Sequence, residues 1–141
     1  MARDTIWVGE NSILHYPSSI GLIPDTLLQN SKLIRLNEGV RIEGVIADLT
    51  TSADPEVDLC TIKIGKTSQI IGQVFTRNSM EMRGNISGQI ITGKFQLPTA
   101  SSLYINHLLD VGINITTLPQ DFIGCEFLQI DKPKKIVKWL H

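Results

Sequence analysis

One short unit recurs along the chain, and it constrains the fold more than any other feature of the sequence. Gly72 is followed sixteen residues later by Gly88, after eighteen more by Asn106, and after a further eighteen by Gly124. An earlier copy of the unit centres on Gly44. Self-similarity at a nearly fixed period is typical of repeat proteins, in which each unit stacks on its neighbours.

Apolar residues keep the same places in each copy of the unit. One large apolar or aromatic residue stands two positions before each marker, and an apolar pair lies further upstream. The single residues are Ile42, Ile70, Ile86, Tyr104 and Phe122, and the pairs are Ile34/Leu36, Ile62/Ile64, Met80/Met82, Phe95/Leu97 and Ile113/Ile115. Apolar and polar residues alternate within these pairs, which is the pattern of a strand with one buried face.

The spacing predicts a coil of short strands. Turn-forming residues separate segments of about five residues, which are too short for helices. A unit of this size cannot bury its apolar face alone, so we predict about three strands per turn, with parallel ladders about 4.8 Å apart between successive turns. The recurring glycine indicates a backbone φ above zero, which Asn106 tolerates better than most residues. Ordinary hairpin turns in an antiparallel sheet are the alternative.

Composition and charge limit the class of protein. The chain has 141 residues and a net charge of −1, so we expect one domain and no nucleic-acid partner. The residues after Met1 are mixed and polar, which predicts no secretory signal and a cytoplasmic location. In that setting we expect Cys60 and Cys125 to be buried thiols rather than a disulfide.

The repeat divides the chain into three regions. Residues 1–31 fit it poorly and are predicted to form an N-terminal cap or tail. Residues 32–130 form the predicted coil, with a polar, proline-containing loop inserted at 47–60. Residues 131–141 differ from the repeat in composition, being rich in lysine, and are predicted to be a basic C-terminal tail.

Two terminal segments combine cations with tryptophan. Trp7 lies near Arg3, and Lys134, Lys135 and Trp139 lie in the basic tail. Such segments are suited to contact with an anionic membrane surface or a partner protein. The structural alternative is that the first segment is a degenerate strand, and that the tail folds back so that Trp139 covers the last turn.

No group of residues has the spacing of an active site. His15, His107 and His141 are not at metal-ligand spacing with one another, with cysteine or with carboxylates. We therefore predict no catalytic residues, no metal, no cofactor and no enzymatic activity. Small polar residues follow the markers by four positions, at Asp48, Thr76, Thr92 and Asp110. Stacked in register they would form a polar ladder, but we favour ordinary surface positions.

Four segments carry a family resemblance: Ile62–Gly65, Ile71–Val74 with Thr76, Met82–Thr92 and Phe122–Cys125. In these segments the chain resembles the bactofilins, bacterial cytoskeletal proteins with a polymer-forming β-helical domain. The resemblance covers about residues 32–129. It implies an all-β fold, a single-stranded right-handed parallel β-helix of about six short turns with irregular terminal caps.

The resemblance also implies a function. Bactofilins assemble end to end into filaments without bound nucleotide, often at membranes, and recruit cell-wall enzymes. The expectation for this chain is therefore a non-enzymatic, self-assembling cytoskeletal scaffold, with peripheral contact at the inner membrane and with cell-wall enzymes as further partners. The physics of a coil supports the same role independently of the resemblance, because each end of a coil offers unpaired backbone groups and an open apolar cross-section.

We expect the self-association residues at the predicted ends of the coil, at Leu33, Ile34, Phe122 and Phe127. A second function class stays open at this point. A hexapeptide-type left-handed β-helix, such as a trimeric acyltransferase or a metal-dependent hydratase, is compatible with turns of sixteen to eighteen residues. It would require a clearer six-residue sub-period and histidines at subunit boundaries.

Overall fold

A computed structural model of the chain describes residues 5–24, 32–50, 59–116, 118–122 and 124. These residues form eleven strands and no helix. The strands are β1 (Thr5–Val8), β2 (Ile13–Leu22), β3 (Leu33–Leu36), β4 (Arg41–Asp48), β5 (Cys60–Ile64), β6 (Gln69–Thr76), β7 (Ser79–Met82), β8 (Asn85–Ile91), β9 (Lys94–Pro98), β10 (Leu103–Ile105) and β11 (Ile113–Asn114). The predicted all-β class is confirmed.

The strands form two sheets, and the chain passes from one to the other after almost every strand. The first sheet has the order β1-β3-β5-β7-β9-β10, and the second has the order β11-β8-β6-β4-β2. All pairings are parallel except that between β9 and β10. The predicted parallel ladders are therefore confirmed. Each repeat contributes two strands rather than about three, because the glycine marker lies within the longer strand.

Equivalent apolar residues of successive repeats stack directly on one another. In the first sheet the column is Ile6, Ile34, Ile62, Met80 and Phe95, and in the second it includes Ile42, Ile70 and Ile86. Ile34, Ile62 and Ile70 are completely buried. Both columns belong to one core cluster, and each buried isoleucine contributes about 1.5–3 kcal/mol relative to an exposed one.

Three glycines form a column in the second sheet. Gly44, Gly72 and Gly88 are in register, with Ser18 beneath them, and their φ angles are 154°, 147° and 146°. A Cβ at any of the three would collide with the backbone oxygen of the residue beneath it. The prediction of positive φ is confirmed for these positions, and the close approach of neighbouring backbones gives a second reason for glycine.

The repeat ends after β9, so the predicted equivalence of Asn106 and Gly124 with the glycine column is wrong. The chain reverses between Pro98 and Leu103, where the Thr99 backbone N–H donates to the Ser102 carbonyl, and β10 returns antiparallel to β9. Asn106 has the expected positive φ, 58°, but closes this hairpin by accepting the Phe95 N–H at Oδ1.

The predicted boundaries also shift. Strands β1 and β2 lie within the predicted cap at 1–31 and pair in parallel with β3 and β4, so within the described residues the sheets already include Thr5. The ends of the predicted loop at 47–60 belong to strands, because β4 continues to Asp48 and β5 begins at Cys60, and residues 51–58 lie outside the described residues. The Cys60 thiol is half-buried, is not part of a disulfide and donates to the Ile62 carbonyl, whereas Cys125 and the tail at 131–141 lie outside the described residues.

Candidate assembly and docking surfaces

The first end of the two sheets is formed by β1 and β2. Among the described strands, none pairs with the outer edge of either. An edge strand offers a row of N–H and C=O groups on which another strand can pair. Trp7, Ile13 and Ile23 are large apolar residues exposed on or next to these strands. This end therefore combines backbone pairing groups with apolar surface.

Trp7 stands at the head of a charged column on the outer face of the first sheet. It is 66% exposed and pairs in register with Arg35, whose guanidinium carbon lies 5.8 Å from the centre of the indole ring. The column continues through Lys63 and Glu81, whose Nζ and Oε2 atoms are 3.7 Å apart. Trp7 is therefore accessible at the head of this column.

The second end carries a dense group of exposed apolar side chains. Strand β10 pairs along β9, and β11 pairs with the beginning of β8. The exposed residues here, called the C-terminal apolar end, are Ile91, Leu103, Tyr104, Ile105, Leu108, Leu109, Ile113 and Ile115. Ile115 is 73% exposed. Where many large apolar side chains are exposed at one end of a fold, that end is a candidate interaction site.

Leu33 and Ile34 do not lie at an end of the sheets. Both belong to β3, the second strand of the first sheet, and β1 stacks beyond them. Ile34 is completely buried between Ile6 and Ile62. The prediction of an end position is wrong for these two residues, because residues 1–31 supply a further pair of strands.

Phe122 lies over the middle of the second sheet rather than at an end. Its Cε2 atom is 3.1 Å from the point that a Cβ on Gly72 would occupy, and its ring centre is 6.1 Å from that of Tyr16. Gly72 belongs to β6, the central strand of that sheet. Phe127, Lys134, Lys135 and Trp139 lie outside the described residues.

The outer face of the second sheet is covered around Phe122. Val45, Ile71, Gln73 and Ser87 are all more than nine-tenths buried, yet Val45 and Ile71 are not part of the core cluster between the sheets. Alternation along the strand turns Ile71 and Gln73 away from the core, since Ile70 and Val74 point into it. We call residues 118–122 and 124, of which Phe122 and Gly124 lie against β6, the C-terminal strap.

Sequence reasoning did not identify a buried carboxylate at the end of β4. Asp48 is completely buried, and its Oδ2 accepts hydrogen bonds from Thr61 Oγ1 at 2.6 Å, Thr76 Oγ1 at 2.8 Å and Asn78 Nδ2 at 3.0 Å. Its Oδ1 accepts the Thr50 N–H at 2.9 Å. The interpretation of Asp48 and Thr76 as surface positions is therefore wrong, and the two residues are in register. The sequence does carry a sign of this cluster, since Asp48 and Thr76 each follow a glycine marker by four residues.

Comparisons with protein-family models, with curated proteins and with solved structures find no match for this chain. Within the described ranges, no three histidine, cysteine or carboxylate side chains converge as metal ligands. Those same residues include no helix of the length and apolarity needed to cross a lipid bilayer.

Glu43 anchors the irregular part of β2 to β4. The register of these strands shifts between Leu14 and Ser18, and there the Glu43 carboxylate accepts the Tyr16 N–H at 3.4 Å and lies 3.7 Å from His15 Nδ1. Arg41 donates to the same carboxylate at 2.9 Å. The Arg41 hydrogen bond, followed by that of the Tyr16 N–H, lowers the pKa of Glu43. The first end is therefore held partly by charge.

Proposed function

We propose that the two sheets are the walls of one parallel β-helix, right-handed as the bactofilin resemblance implies. Successive strands from β1 to β9 alternate between the sheets, which is what a chain winding in one direction produces. Parallel register and stacked isoleucines support the same reading. The β9–β10 hairpin would be an irregular cap on the last turn.

On this fold the chain functions as a non-enzymatic scaffold that joins end to end with copies of itself, without nucleotide. The observation that carries this proposal is the C-terminal apolar end. Its eight large side chains are exposed although the core between the sheets can bury thirteen others. Apolar surface gains about 25 cal/mol for each Å² removed from water, so a second copy docked on this end would be stabilised.

The first end supplies a different contact. Two copies related by a two-fold axis would place the edge of β1 or β2 beside its own counterpart, where backbone groups can pair across the junction. Contacts at both ends, each between like surfaces, generate an open chain of subunits. The arrangement agrees with the head-to-head and tail-to-tail assembly that the resemblance implies.

Partners of the assembled scaffold would meet its sides. Trp7 remains exposed beside Arg35 on the outer face of the first sheet. An aromatic ring beside a cation suits the surface of an anionic membrane or the interface of a protein partner. Contact at the inner membrane and recruitment of cell-wall enzymes are therefore the partner roles that we propose.

Analytical ultracentrifugation and electron microscopy of the full chain test the proposal. We expect sedimentation that depends on concentration, and filaments in the images. Ile115→Asp should weaken association at least tenfold, because a charge would be buried in the junction. Lys66→Asp, which changes an exposed residue at a corner between β5 and β6, serves as the control and should leave association unchanged. A chain that stays monomeric at high concentration contradicts the scaffold role.

A further inference from the structure

A groove runs along the outer face of the first sheet, where strands β1, β3, β5 and β7 meet the corners that follow them. Its volume is about 510 Å³, which lies within the range of about 300–1,000 Å³ that small-molecule sites occupy. The floor includes Arg35, Lys63 and Glu81, which are in register on successive strands. All the residues that line it belong to the described part of the chain. We call it the corner groove.

Backbone contacts hold the corners of the groove in place. The Asn37 N–H donates to the Val8 carbonyl, and the Gly65 N–H donates to the Leu36 carbonyl. The corners stack so closely that a Cβ on Gly65 would lie 2.7 Å from the carbonyl carbon and oxygen of Asn37. The wall of the groove is thus preformed, and a ligand would bind without first having to order it.

The ion pairs of the groove leave one cation on its floor without a carboxylate. Glu81 pairs with both Lys63, at 3.7 Å, and Arg83, at 2.9 Å. Among the described residues, Arg35 forms no ion pair, and its guanidinium lies over the Trp7 ring, 5.8 Å from the ring centre. A cation–π contact does not use the N–H donors in the plane of the guanidinium, so these donors stay available to an anion.

Trp7 provides an apolar platform beside that cation. It is 66% exposed even though Arg35 lies against its ring. An exposed indole can pack against the apolar C–H groups that a sugar ring presents on one face. An aromatic platform next to an unpaired guanidinium therefore fits a sugar ring that carries a carboxylate.

Two carboxylates restrict the kind of anion that fits. Glu10 and Glu38 line the groove and form no ion pair within the described ranges, and the same is true of Lys66. The two carboxylates would repel a ligand with many negative charges, but they can accept hydrogen bonds from hydroxyl groups. With four cations against three carboxylates in its lining, the groove matches a ligand with one negative charge and several hydroxyl groups.

We propose that the corner groove binds an acidic saccharide, a short sugar chain with hydroxyl groups on every ring and a carboxylate on one of them. The carboxylate pairs with Arg35, the C–H face of the same ring packs on Trp7, and hydroxyl groups donate to Glu10 and Glu38. The site goes beyond the membrane and protein contacts proposed for Trp7 above. It does not depend on end-to-end association, because one chain supplies every residue that lines it.

The fluorescence of Trp7 tests the site. The full-length chain carries Trp139→Phe, which leaves Trp7 as its one indole, and Ile115→Asp, so that association through the C-terminal apolar end does not affect the outcome. A trisaccharide of one glucuronate and two xylose units is titrated, with neutral xylotriose as its match. We expect a saturable change in Trp7 emission with the acidic trisaccharide, and binding at least tenfold weaker for xylotriose. Equal affinity for the two, or binding of neither, overturns the proposal.

Matched variants locate the ligand. Arg35→Gln should weaken binding of the acidic trisaccharide at least tenfold. Arg77→Gln removes the same charge at an exposed position between β6 and β7, and should leave binding unchanged. Calorimetric titration of Trp7→Ala should show no saturable binding. Retained affinity in Arg35→Gln or in Trp7→Ala overturns the corner groove as the site, and circular dichroism of each variant confirms that the strands are retained.

Two further probes separate this site from a general attraction of negative charge. Trigalacturonate carries a carboxylate on every ring, and phosphatidylserine vesicles present an anionic surface. We expect trigalacturonate to bind no more tightly than the trisaccharide with one carboxylate, because Glu10 and Glu38 oppose further negative charge. Affinity that rises with the number of carboxylates overturns the proposal. A response of Trp7 to vesicles but to neither trisaccharide also overturns it, while supporting the membrane contact proposed above.

Discussion

Thr61 donates its hydroxyl to Asp48 Oδ2 across 2.6 Å, which joins the end of β4 to the beginning of β5. Thr76, at the end of β6, donates to the same oxygen. One carboxylate thus connects three consecutive strands at the corner where the chain leaves and re-enters the sheets. Burying a charge is unfavourable unless hydrogen bonds replace its hydration, and here hydroxyl, amide and backbone donors do so.

Asp48→Asn should destabilise the protein by about 2–3 kcal/mol, since in either orientation the new amide NH2 would face a donor: the Thr50 N–H on one side, or the donors that contact Oδ2 on the other. Urea unfolding followed by circular dichroism measures the change. Asp121→Asn, at an exposed position, is the matched control and should stay within about 0.5 kcal/mol of wild type. Equal losses in the two variants would show that the Asp48 cluster is not a stabilising element.

The stacked core was predictable because each strand of a parallel ladder must place an apolar side chain at the same position. Ile62 and Met80 occupy equivalent places in the sequence, and the structure pairs them in register. The glycine markers are visible for a similar reason. Gly44, Gly72 and Gly88 meet the same backbone conflict on each strand, so no other residue type fits there.

The end of the repeat was not predictable from apolar spacing. The sequence pattern groups Ile113 with Met80 and Phe95 of the first sheet, but Ile113 pairs with Ile86 of the second sheet. The pattern is broken because the chain turns back at Thr99–Ser102 and adds β10 to the first sheet. That reversal depends on local hydrogen bonds, which do not alter the spacing of apolar residues along the sequence. The first repeat was also hard to recognise in the sequence, since the register shift between Leu14 and Ser18 interrupts the apolar pattern in β2.

The candidate surfaces depend on where the stack ends, and for that reason sequence reasoning misplaced them. A residue such as Phe122 has the same apolar signature in a core, at an end or on a side of the sheets. Its position over Gly72 follows from a long-range return of the chain. The Asp48 cluster likewise needed the proximity of Thr61, which the opposite sheet supplies.

Replacement of Gly72 by alanine should destabilise the protein by about 3 kcal/mol or more, through a strained backbone and a collision with the Gly44 carbonyl. Thermal or urea unfolding measures the loss. Gly21→Ala is the control in the same sheet, because its Cβ would meet the nearest atom, the Ala47 oxygen, at an ordinary 3.7 Å. Similar stability of the two variants would mean that the glycine column can relax.

Acid should weaken the wild-type protein more than the Glu43→Gln variant. The pKa of Glu43 is lowered in the fold from its usual 4.5 by the Arg41 hydrogen bond. Its contribution to stability is therefore fully present above that value and disappears as the pH falls through the lowered pKa. Urea midpoints measured from pH 6 down to about pH 3 should converge for the two proteins. Glu38→Gln, at an exposed position, is the control and should follow wild type throughout.

Ile34 and Ile115 should separate stability from association. Ile34 is completely buried in the stacked core, so Ile34→Ala should cost about 2–5 kcal/mol of unfolding free energy. Ile115 is 73% exposed at the C-terminal apolar end, so Ile115→Ala should leave that energy almost unchanged and weaken concentration-dependent sedimentation. Both changes remove the same atoms, and therefore differ only in location. A large loss of stability in Ile115→Ala would place that side chain in the core, and would remove the main support for docking at this end.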